Sequence, residues 1–130
     1  MRQQIVGTAR GWIGTPYHHQ ASVRGVGCDC LGLVRVVYRE VLGHEPASPP
    51  PYTPDWAEAL GRETLLDAAG THLHEIPASD AGPGDVLVFR MRAHAVAKHI
   101  GILSGRGRMI HAYSGRDVVE VHLGPWWYRH

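Results

Sequence analysis

The chain has 130 residues, of which 44% are hydrophobic, and its 13 basic and 12 acidic residues give a formal net charge of +1. This length and hydrophobicity predict one compact domain over residues 1–130 and exclude a largely disordered chain. The balanced charge, without a run of one sign, argues against a nucleic-acid partner held through phosphates. No apolar stretch is long enough to span a bilayer, so we expect no membrane partner.

The start of the chain and its cysteines predict where the protein is made. In residues 1–7 polar residues interrupt the apolar ones, and the continuous apolar stretch of a secretory signal peptide is missing. The two cysteines, Cys28 and Cys30, are one residue apart, and a disulfide between them would be strained and would close no useful loop. We therefore expect free thiols in a protein made in the cytoplasm without a signal peptide.

Two helices are predicted in the first third of the chain. Apolar residues recur at helical spacing over residues 2–12, whereas residues 15–27 show no period and are predicted to form a loop. Over residues Cys30–Leu42 apolar positions repeat every three or four residues. Gly43 follows this run as a stop signal, and Asp29 stands where an N-cap belongs.

The remainder is predicted to be an insertion followed by a sheet. Residues 44–81 contain a proline run and a weakly helical patch at 56–69, and we interpret them as an insertion or lid. Beyond them, short segments rich in branched and aromatic residues alternate with glycine-containing turns. These segments predict four strands, at Asp85–Met91, Ala97–Ser104, Arg108–Tyr113 and Val118–Leu123. The order indicates an α+β fold with N-terminal helices packed on an antiparallel sheet.

Cys30 is the candidate nucleophile. It occupies the first turn of the second predicted helix, where unpaired N–H groups and the positive end of the helix dipole stabilise a thiolate. Gly32 lets a substrate or another element approach the helix closely. A single cysteine at such a position is more often a small buried hydrophobic residue. The catalytic interpretation therefore depends on a partner base.

A predicted hairpin supplies that partner. We predict that residues 105–107 form a three-residue loop, which pairs Ser104 with Arg108. In this register His99 and His111 lie diagonally on the same face of the sheet. His111 can then accept a hydrogen bond from one nitrogen of His99 while the other nitrogen faces a thiol. A two-residue loop would shift the pairing of the two strands by one residue, and His99 and His111 would then lie on opposite faces of the sheet.

Five ordered motifs resemble those of the NlpC-type cell-wall peptidases: a Gly-x-Pro-Tyr loop, an Asp-Cys-x-Gly helix start, and Gly-Asp, His-x-Gly-Ile and His-Ala strands. They stand here at Gly14–Tyr17, Gly27–Val34, Gly84–Phe89, His99–Ile102 and Ile110–Ala112. The middle third of the chain is unmatched, which fits an insertion in a loop. The resemblance implies a papain-like fold with nucleophile, base and orienting residue in that chain order.

Carried over position by position, the resemblance assigns individual roles. It makes Cys30 the nucleophile, His99 the base and His111 the orienting residue. It places Tyr17 at the oxyanion site, together with the backbone N–H of Cys30.

Neighbouring residues extend this predicted substrate site. His18 and His19 follow the loop tyrosine and can contact substrate carboxylates there, although exposed loop histidines usually have no specific role. Asp29, directly before the nucleophile, is grouped with them in the oxyanion and substrate-binding region. Leu31 departs from the family, which most often has Ser at that position, so no contact from a hydroxyl is expected there.

The resemblance implies a cysteine peptidase that needs no cofactor and cleaves amide bonds in peptidoglycan stem peptides, commonly between D-glutamate and diaminopimelate. Within the family, residues 27–33 and 123–128 look most like the small peptidases of phage tails and gene transfer agents. Such an enzyme has tail proteins as partners. It reaches the periplasm and the cell wall by delivery in the particle rather than by secretion.

Two other functions stay open. Cys28, Cys30, His99 and His111, joined by His18, are of the types that zinc prefers, although the spacing of the cysteines is tighter than usual. The chain can also keep the fold without activity, as a structural tail plug or wall-binding module. If thiol catalysis is right, the helix start and an adjacent imidazolium are expected to hold the pKa of Cys30 well below ~8.5.

Overall fold

The computed structural model describes residues 2–18, 22–23, 25, 27–43, 65, 69, 73–90, 97–112 and 116–124. The helices within this part are α1 (Arg2–Arg10) and α2 (Cys30–Leu42), with a 3-10 helix at Ala78–Asp80. The strands are β1 (Ser22–Val23), β2 (Gly27–Cys28), β3 (Val86–Arg90), β4 (Ala97–Gly105), β5 (Arg108–His111) and β6 (Val119–His122). No helix in these ranges is long and apolar enough to cross a membrane.

Local sequence signals define both ends of α2. Asp29 accepts a hydrogen bond of 2.7 Å from the backbone N–H of Gly32 through Oδ1, which is the predicted N-cap contact. Gly43 ends the helix in the left-handed region, with φ 81°, and its N–H donates to the carbonyl of Arg39. The apolar face of α2, with Leu33 fully buried, packs against α1 and β4.

The last four strands form one antiparallel sheet in the order β3-β4-β5-β6. Branched residues of this sheet, among them Ile100, Ile102 and Ile110, share the core with the buried face of α2. The predicted α+β fold, with helices packed on an antiparallel sheet, is therefore confirmed. All four predicted strands are present; two of them start at the predicted residue, and the other ends differ from the prediction by one or two residues.

Only part of the predicted insertion at residues 44–81 is described. Leu65 and Ala69 are helical, in agreement with the weakly helical patch. Leu65 is fully buried in the same core as α2 and the sheet, so this part of the segment contributes to the domain interior. The interpretation of residues 44–81 as an insertion or lid, and of 1–130 as one domain, stays a prediction.

The predicted loop at residues 15–27 is wrong in part, because it contains the short antiparallel hairpin β1–β2. Tyr17 also forms a parallel bridge with Cys28. The N–H of Cys28 donates to the carbonyl of Pro16 at 3.0 Å, and its carbonyl accepts from the N–H of His18 at 3.1 Å. Two-residue strands are too short to show the alternation that predicts a strand from sequence. Their pairing instead satisfies backbone groups beside the buried helix start.

The hairpin between β4 and β5 has the predicted register but a different tip. Ile102 pairs with Ile110, as the prediction requires near the histidines. At the tip, Gly105 pairs with Arg108, and the predicted pairing of Ser104 with Arg108 is wrong. The turn is thus one residue shorter than predicted. An irregularity in β4 next to the turn compensates for this difference, so that the residues beyond it still face the predicted sides of the sheet.

Two local features account for this tip. Gly107 has φ 67°, a left-handed conformation that glycine adopts without a steric penalty. Ser104, at the irregularity, donates through Oγ to Oε2 of Glu120 on β6 at 2.7 Å. The extra residue in β4 is therefore held by a side-chain hydrogen bond.

Candidate active site

Cys30 is the first residue of α2 and only 5% of it is exposed. Its thiol receives backbone hydrogen bonds from its own N–H, from Leu31 and from Ile100 of β4. The first two N–H groups belong to the helix start, where backbone donors have no partner within the helix. Since Ile100 directly follows His99 in the chain, the contact between α2 and β4 places the candidate nucleophile against the backbone of the strand that carries the candidate base.

His99 and His111 form a buried pair. Nε2 of His99 lies 2.7 Å from Nδ1 of His111, and the ring planes meet at 76°. The rings belong to residues that are 4% and 3% exposed, respectively. A Cβ at Gly101 would collide with the side chain of Met109 and would lie 3.2 Å from the Cβ of His111, so this glycine leaves space for both residues of β5. The predicted contact between the two histidines is confirmed.

The buried environment keeps both rings neutral at neutral pH. Burial, with a smaller effect of His111, lowers the pKa of His99 to about 3. Burial, with a smaller effect of Arg116, lowers the pKa of His111 to about 4. A neutral imidazole has one protonated nitrogen. For Nδ1 of His99 to accept a proton from Cys30, His99 must carry its own proton on Nε2 and donate it to His111.

The expectation of a lowered thiol pKa is wrong for this structure. Burial and the adjacent charge of Asp29 raise the pKa of Cys30 to about 12, and the backbone N–H groups offset only part of this increase. Sequence reasoning accounted for the helix start but not for the loss of water around the sulfur. The resting site therefore contains a neutral thiol and a neutral imidazole, and the thiolate forms only as His99 takes the proton.

Tyr17 lies beside the nucleophile, as the resemblance implied. It is half-buried and packs against the core. Burial, followed by the charges of Cys30, Asp29 and Cys28, raises the pKa of Tyr17 to about 12. Its hydroxyl therefore stays protonated at neutral pH and is available as a hydrogen-bond donor. Its role at the oxyanion site stays a prediction.

The other predicted substrate residues differ in position. Asp29 is fully buried, and its carboxylate caps α2 through Gly32. His18 is exposed, and its ring lies against Gly27, where any Cβ would collide with it. His19 is outside the described residues. A role of these three residues in substrate binding stays a prediction.

Sequence analysis missed three contributors to this site. The backbone donor of Ile100 leaves no sequence signal, because every residue except proline carries an N–H. Ser22 donates through Oγ to the carbonyl of Gly32 at 2.8 Å, and nothing in its sequence context indicates this contact. Arg116 acts electrostatically on His111, and its only signal is a basic residue shortly after the His-Ala motif.

The zinc alternative lacks the required geometry. Within the described part of the chain, which includes Cys28, Cys30, His99 and His111, no three His, Cys, Asp or Glu side chains are grouped to hold a metal ion. Both cysteines are buried and free, so the prediction of free thiols is confirmed.

A cysteine at the start of a helix that packs on an antiparallel sheet, with a histidine pair on that sheet, is the arrangement of the papain-like proteins. A sequence model of the NlpC/P60 family matches residues 14–130 of the chain. The chain therefore belongs to the NlpC/P60 family and has its papain-like fold.

Individual relatives agree with this membership. The chain is 30% identical over 122 residues to gamma-DL-glutamyl hydrolase of Bacillus subtilis, which is 92% of this chain and 25% of that protein. It is 29% identical over 120 residues to murein DD-endopeptidase MepH of Escherichia coli, which is 91% of this chain and 39% of that protein. The chain thus spans less than half the length of both relatives.

A solved structure shows the same fold. The NlpC/p60 domain of the peptidoglycan hydrolase SagA matches with a TM-score of 0.69 and 26% identity, over 95% of this chain and 90% of that one.

Proposed function

We propose that this chain is a cysteine peptidase that hydrolyses an amide bond in the stem peptides of bacterial peptidoglycan. The observation that carries the proposal is that Cys30, at the start of α2, contacts the backbone of Ile100 on β4, and that His99 on the same strand is hydrogen-bonded to His111. A thiol, a base that takes its proton and a group that orients the base are the components of nucleophilic amide hydrolysis. Family membership and the relatives' names support the substrate class.

The first half of the reaction starts from the neutral pair. Cys30 transfers its proton to Nδ1 of His99 as the sulfur attacks the carbonyl carbon of the scissile amide. The N–H of Cys30 and the hydroxyl of Tyr17 donate to the oxyanion. His111 accepts from Nε2 of His99 and keeps the imidazolium in place. The C–N bond then breaks, His99 protonates the leaving amine, and a thioester remains on Cys30.

The second half releases the acid product. Water enters the position of the departed amine, and His99, again neutral, takes a proton from it as its oxygen attacks the thioester carbon. The C–S bond breaks, and the proton returns from His99 to the sulfur. The free enzyme is restored with a neutral thiol and a neutral imidazole, which is the resting state that burial favours.

The bond we propose is the γ-linked amide between D-glutamate and diaminopimelate. The Bacillus subtilis relative is named a gamma-DL-glutamyl hydrolase, which supports a γ-glutamyl bond. A residue linked through its γ-carboxyl group keeps its α-carboxylate free and negatively charged. The scissile carbonyl and this carboxylate are therefore separated only by the glutamyl carbon chain.

Digestion of purified sacculi tests the proposal. We expect the wild-type protein to release fragments whose masses end at D-glutamate, and Cys30→Ala to release none. Cys28→Ser is the matched control, because this second buried thiol lies outside the helix start, and it should keep most of the activity. Fragments cut between D-alanine and diaminopimelate would point instead to a DD-endopeptidase, like the Escherichia coli relative. Intact sacculi in every sample would refute the proposal.

We also propose that the peptidase is carried by a phage tail or gene-transfer-agent particle and acts at the cell wall after delivery. The support is the resemblance of residues 27–33 and 123–128 to the peptidases of such particles. Mass spectrometry of purified particles from the source strain tests this association. Detection of the chain at a fixed ratio to tail proteins is the expected result, and its absence from intact particles would refute the association.

A further inference from the structure

His99 has an aromatic neighbour on β3 in addition to His111 on β5. Phe89 pairs directly with His99 in the ladder between β3 and β4. The centroid of the Phe89 ring lies 6.0 Å from that of the imidazole, and the two ring planes are inclined by 32°. This separation is within the range of about 4.5–7 Å that favourable aromatic pairs adopt. Both residues are buried, so the contact belongs to the interior of the domain.

The contacts on the two sides of the His99 ring restrain different motions. β4 lies between β3 and β5 in the sheet. The hydrogen bond of 2.7 Å between Nε2 of His99 and Nδ1 of His111 fixes one atom of the imidazole. A restraint at one atom leaves the ring able to turn about that atom through the two rotatable bonds of the side chain. The ring of Phe89 occupies the β3 side and obstructs such a turn.

An irregularity in the sheet lies directly beside this pair. The regular pairing of β3 with β4 runs from Val86 to Phe89, and the register shifts between Phe89 and Arg90. The next pair is Arg90 with Ala97, so β4 has one unpaired residue immediately before His99. Such a bulge bends the strand and changes the direction of the neighbouring side chains. The direction of the His99 ring therefore depends on side-chain contacts as well as on strand pairing.

We propose that Phe89 is a positioning residue for the base: its ring holds the imidazole of His99 in the orientation in which the nitrogen not bonded to His111 takes the proton of Cys30. This proposal rests on the function proposed above. A phenyl ring has no group that donates or accepts a proton, so Phe89 acts only through the orientation of His99. Its loss should therefore slow the chemical step and leave substrate binding largely unchanged.

Replacement of Phe89 by Leu tests the proposal, because leucine keeps an apolar side chain in the interior but has no flat ring. We expect kcat on a stem peptide to fall by about tenfold, since small errors in the position of a catalytic group have effects of this order or larger. KM should stay within about twofold of the wild-type value. Phe89→Tyr keeps the ring and should recover most of the lost kcat. An unchanged kcat in Phe89→Leu would overturn the proposal.

Leu103→Ala is the matched control for a general loss of packing. Leu103 is 8% exposed, against 7% for Phe89, and lies four residues beyond His99 on the same face of β4. The variant should lower the free energy of unfolding at least as much as Phe89→Leu does, because it removes more of a buried side chain. It should keep kcat within about twofold, since the ring contact of His99 stays. Equal losses of kcat in Leu103→Ala and Phe89→Leu would overturn the proposal, because weakened packing alone would then slow the reaction.

Nuclear magnetic resonance measures the ring contact without the reaction. Phe89 is the only phenylalanine of the chain, so labelled phenylalanine gives the signals of one ring. We expect a nuclear Overhauser effect between this ring and the imidazole of His99, whose signals are identified by their loss in His99→Ala. In Phe89→Leu the nitrogen signals of His99 should move toward those of a mixture of the two neutral tautomers, because the hydrogen bond to His111 is less populated. Unchanged nitrogen signals would overturn the proposal.

The two measurements separate this proposal from the proposed reaction. Cleavage of the stem peptide at the same kcat by the wild-type protein and Phe89→Leu would refute the role of Phe89 and leave the proposed function intact. The expected nitrogen shifts in a wild-type and variant pair that cleaves no stem peptide would refute the proposed function, while still supporting the hold of Phe89 on the His99 ring.

Discussion

Ser22 and Gly32 are joined by a hydrogen bond of 2.8 Å from the serine hydroxyl to the glycine carbonyl. The N–H of the same glycine donates to Asp29 at 2.7 Å. Both polar groups of one residue in the first turn of α2 are therefore held by side chains outside the helix. This fixes the helix start that carries Cys30 at two points.

Ser22→Ala is expected to loosen this attachment. Loss of the hydrogen bond should lower the free energy of unfolding by about 0.5–1.5 kcal/mol, measured by urea denaturation. It should also reduce kcat several-fold with little change in KM, because the nucleophile is less well positioned. Ser22→Thr keeps a hydroxyl on a strand residue and should preserve both quantities. A stability and kcat equal to those of the wild type in Ser22→Ala would show that the contact has no positioning role.

Replacing the two histidines should have unequal effects. His99→Ala should reduce hydrolysis to the level of Cys30→Ala, since neither proton transfer then has an agent. His111→Ala should be milder, because nucleophile and base remain. His111→Asn should recover part of that loss, because its side-chain oxygen can accept from Nε2 of His99. Steady-state rates on a stem peptide decide the order, and equal activity in His111→Asn and His111→Ala would argue against an orienting hydrogen bond.

The raised pKa of Cys30 predicts how its alkylation depends on pH. The thiolate is the reacting species, so in a Cys28→Ser background the rate of labelling by iodoacetamide should rise about tenfold per pH unit from pH 7 to 10. Because burial raises the pKa of Cys30 to about 12, the labelling rate should not level off in this pH range. Fast labelling that persists below pH 7 would instead reveal a thiolate–imidazolium pair in the resting enzyme.

The lowered pKa values of His99 and His111 predict acid destabilisation. In the unfolded chain an imidazole takes up a proton near pH 6.5, whereas the folded rings stay neutral down to about 3 and about 4. The unfolded state therefore binds more protons as the pH falls below 6.5. The folded state should lose up to about 1.4 kcal/mol per pH unit for each histidine, until the folded rings are themselves protonated.

Urea denaturation at pH 7, 6 and 5 measures this loss. His111→Asn removes one of the two groups and should lose less stability between pH 6 and 5 than the wild-type protein does. Identical slopes for the two proteins would mean that His111 is protonated as easily in the folded chain as in the unfolded one.

The parts of the fold set by local signals were predictable from the sequence. Asp29 and Gly43 define α2 through capping rules that need no tertiary information. The proximity of His99 and His111 followed from strand parity, and it survives the error at the hairpin tip because the irregularity in β4 keeps Ile102 opposite Ile110, as predicted. Parity has only two outcomes, and only one of them buries the branched residues.

The remaining features depend on burial, which a sequence pattern reports poorly. The pKa of Cys30 is set by the loss of water around the sulfur and by the charge of Asp29, and both follow from packing against the sheet. The hydrogen bond from Ile100 arises from the docking of β4 against the helix start. The β1–β2 hairpin is too short to leave a periodic signal.

The irregular hairpin tip makes the protein tolerant to changes of length at one place. The pairing of Leu103 with Met109 begins the regular ladder, and β4 and β5 are held there by their outer neighbours β3 and β6. Residues added between Arg106 and Gly107 therefore extend the loop outward while the ladder toward the histidines stays in register. The tip lies roughly 20 Å along β4 from His99, at about 3.3 Å per residue. An affinity tag or a fluorescent label can thus be placed within the chain at this turn without altering the geometry around the thiol.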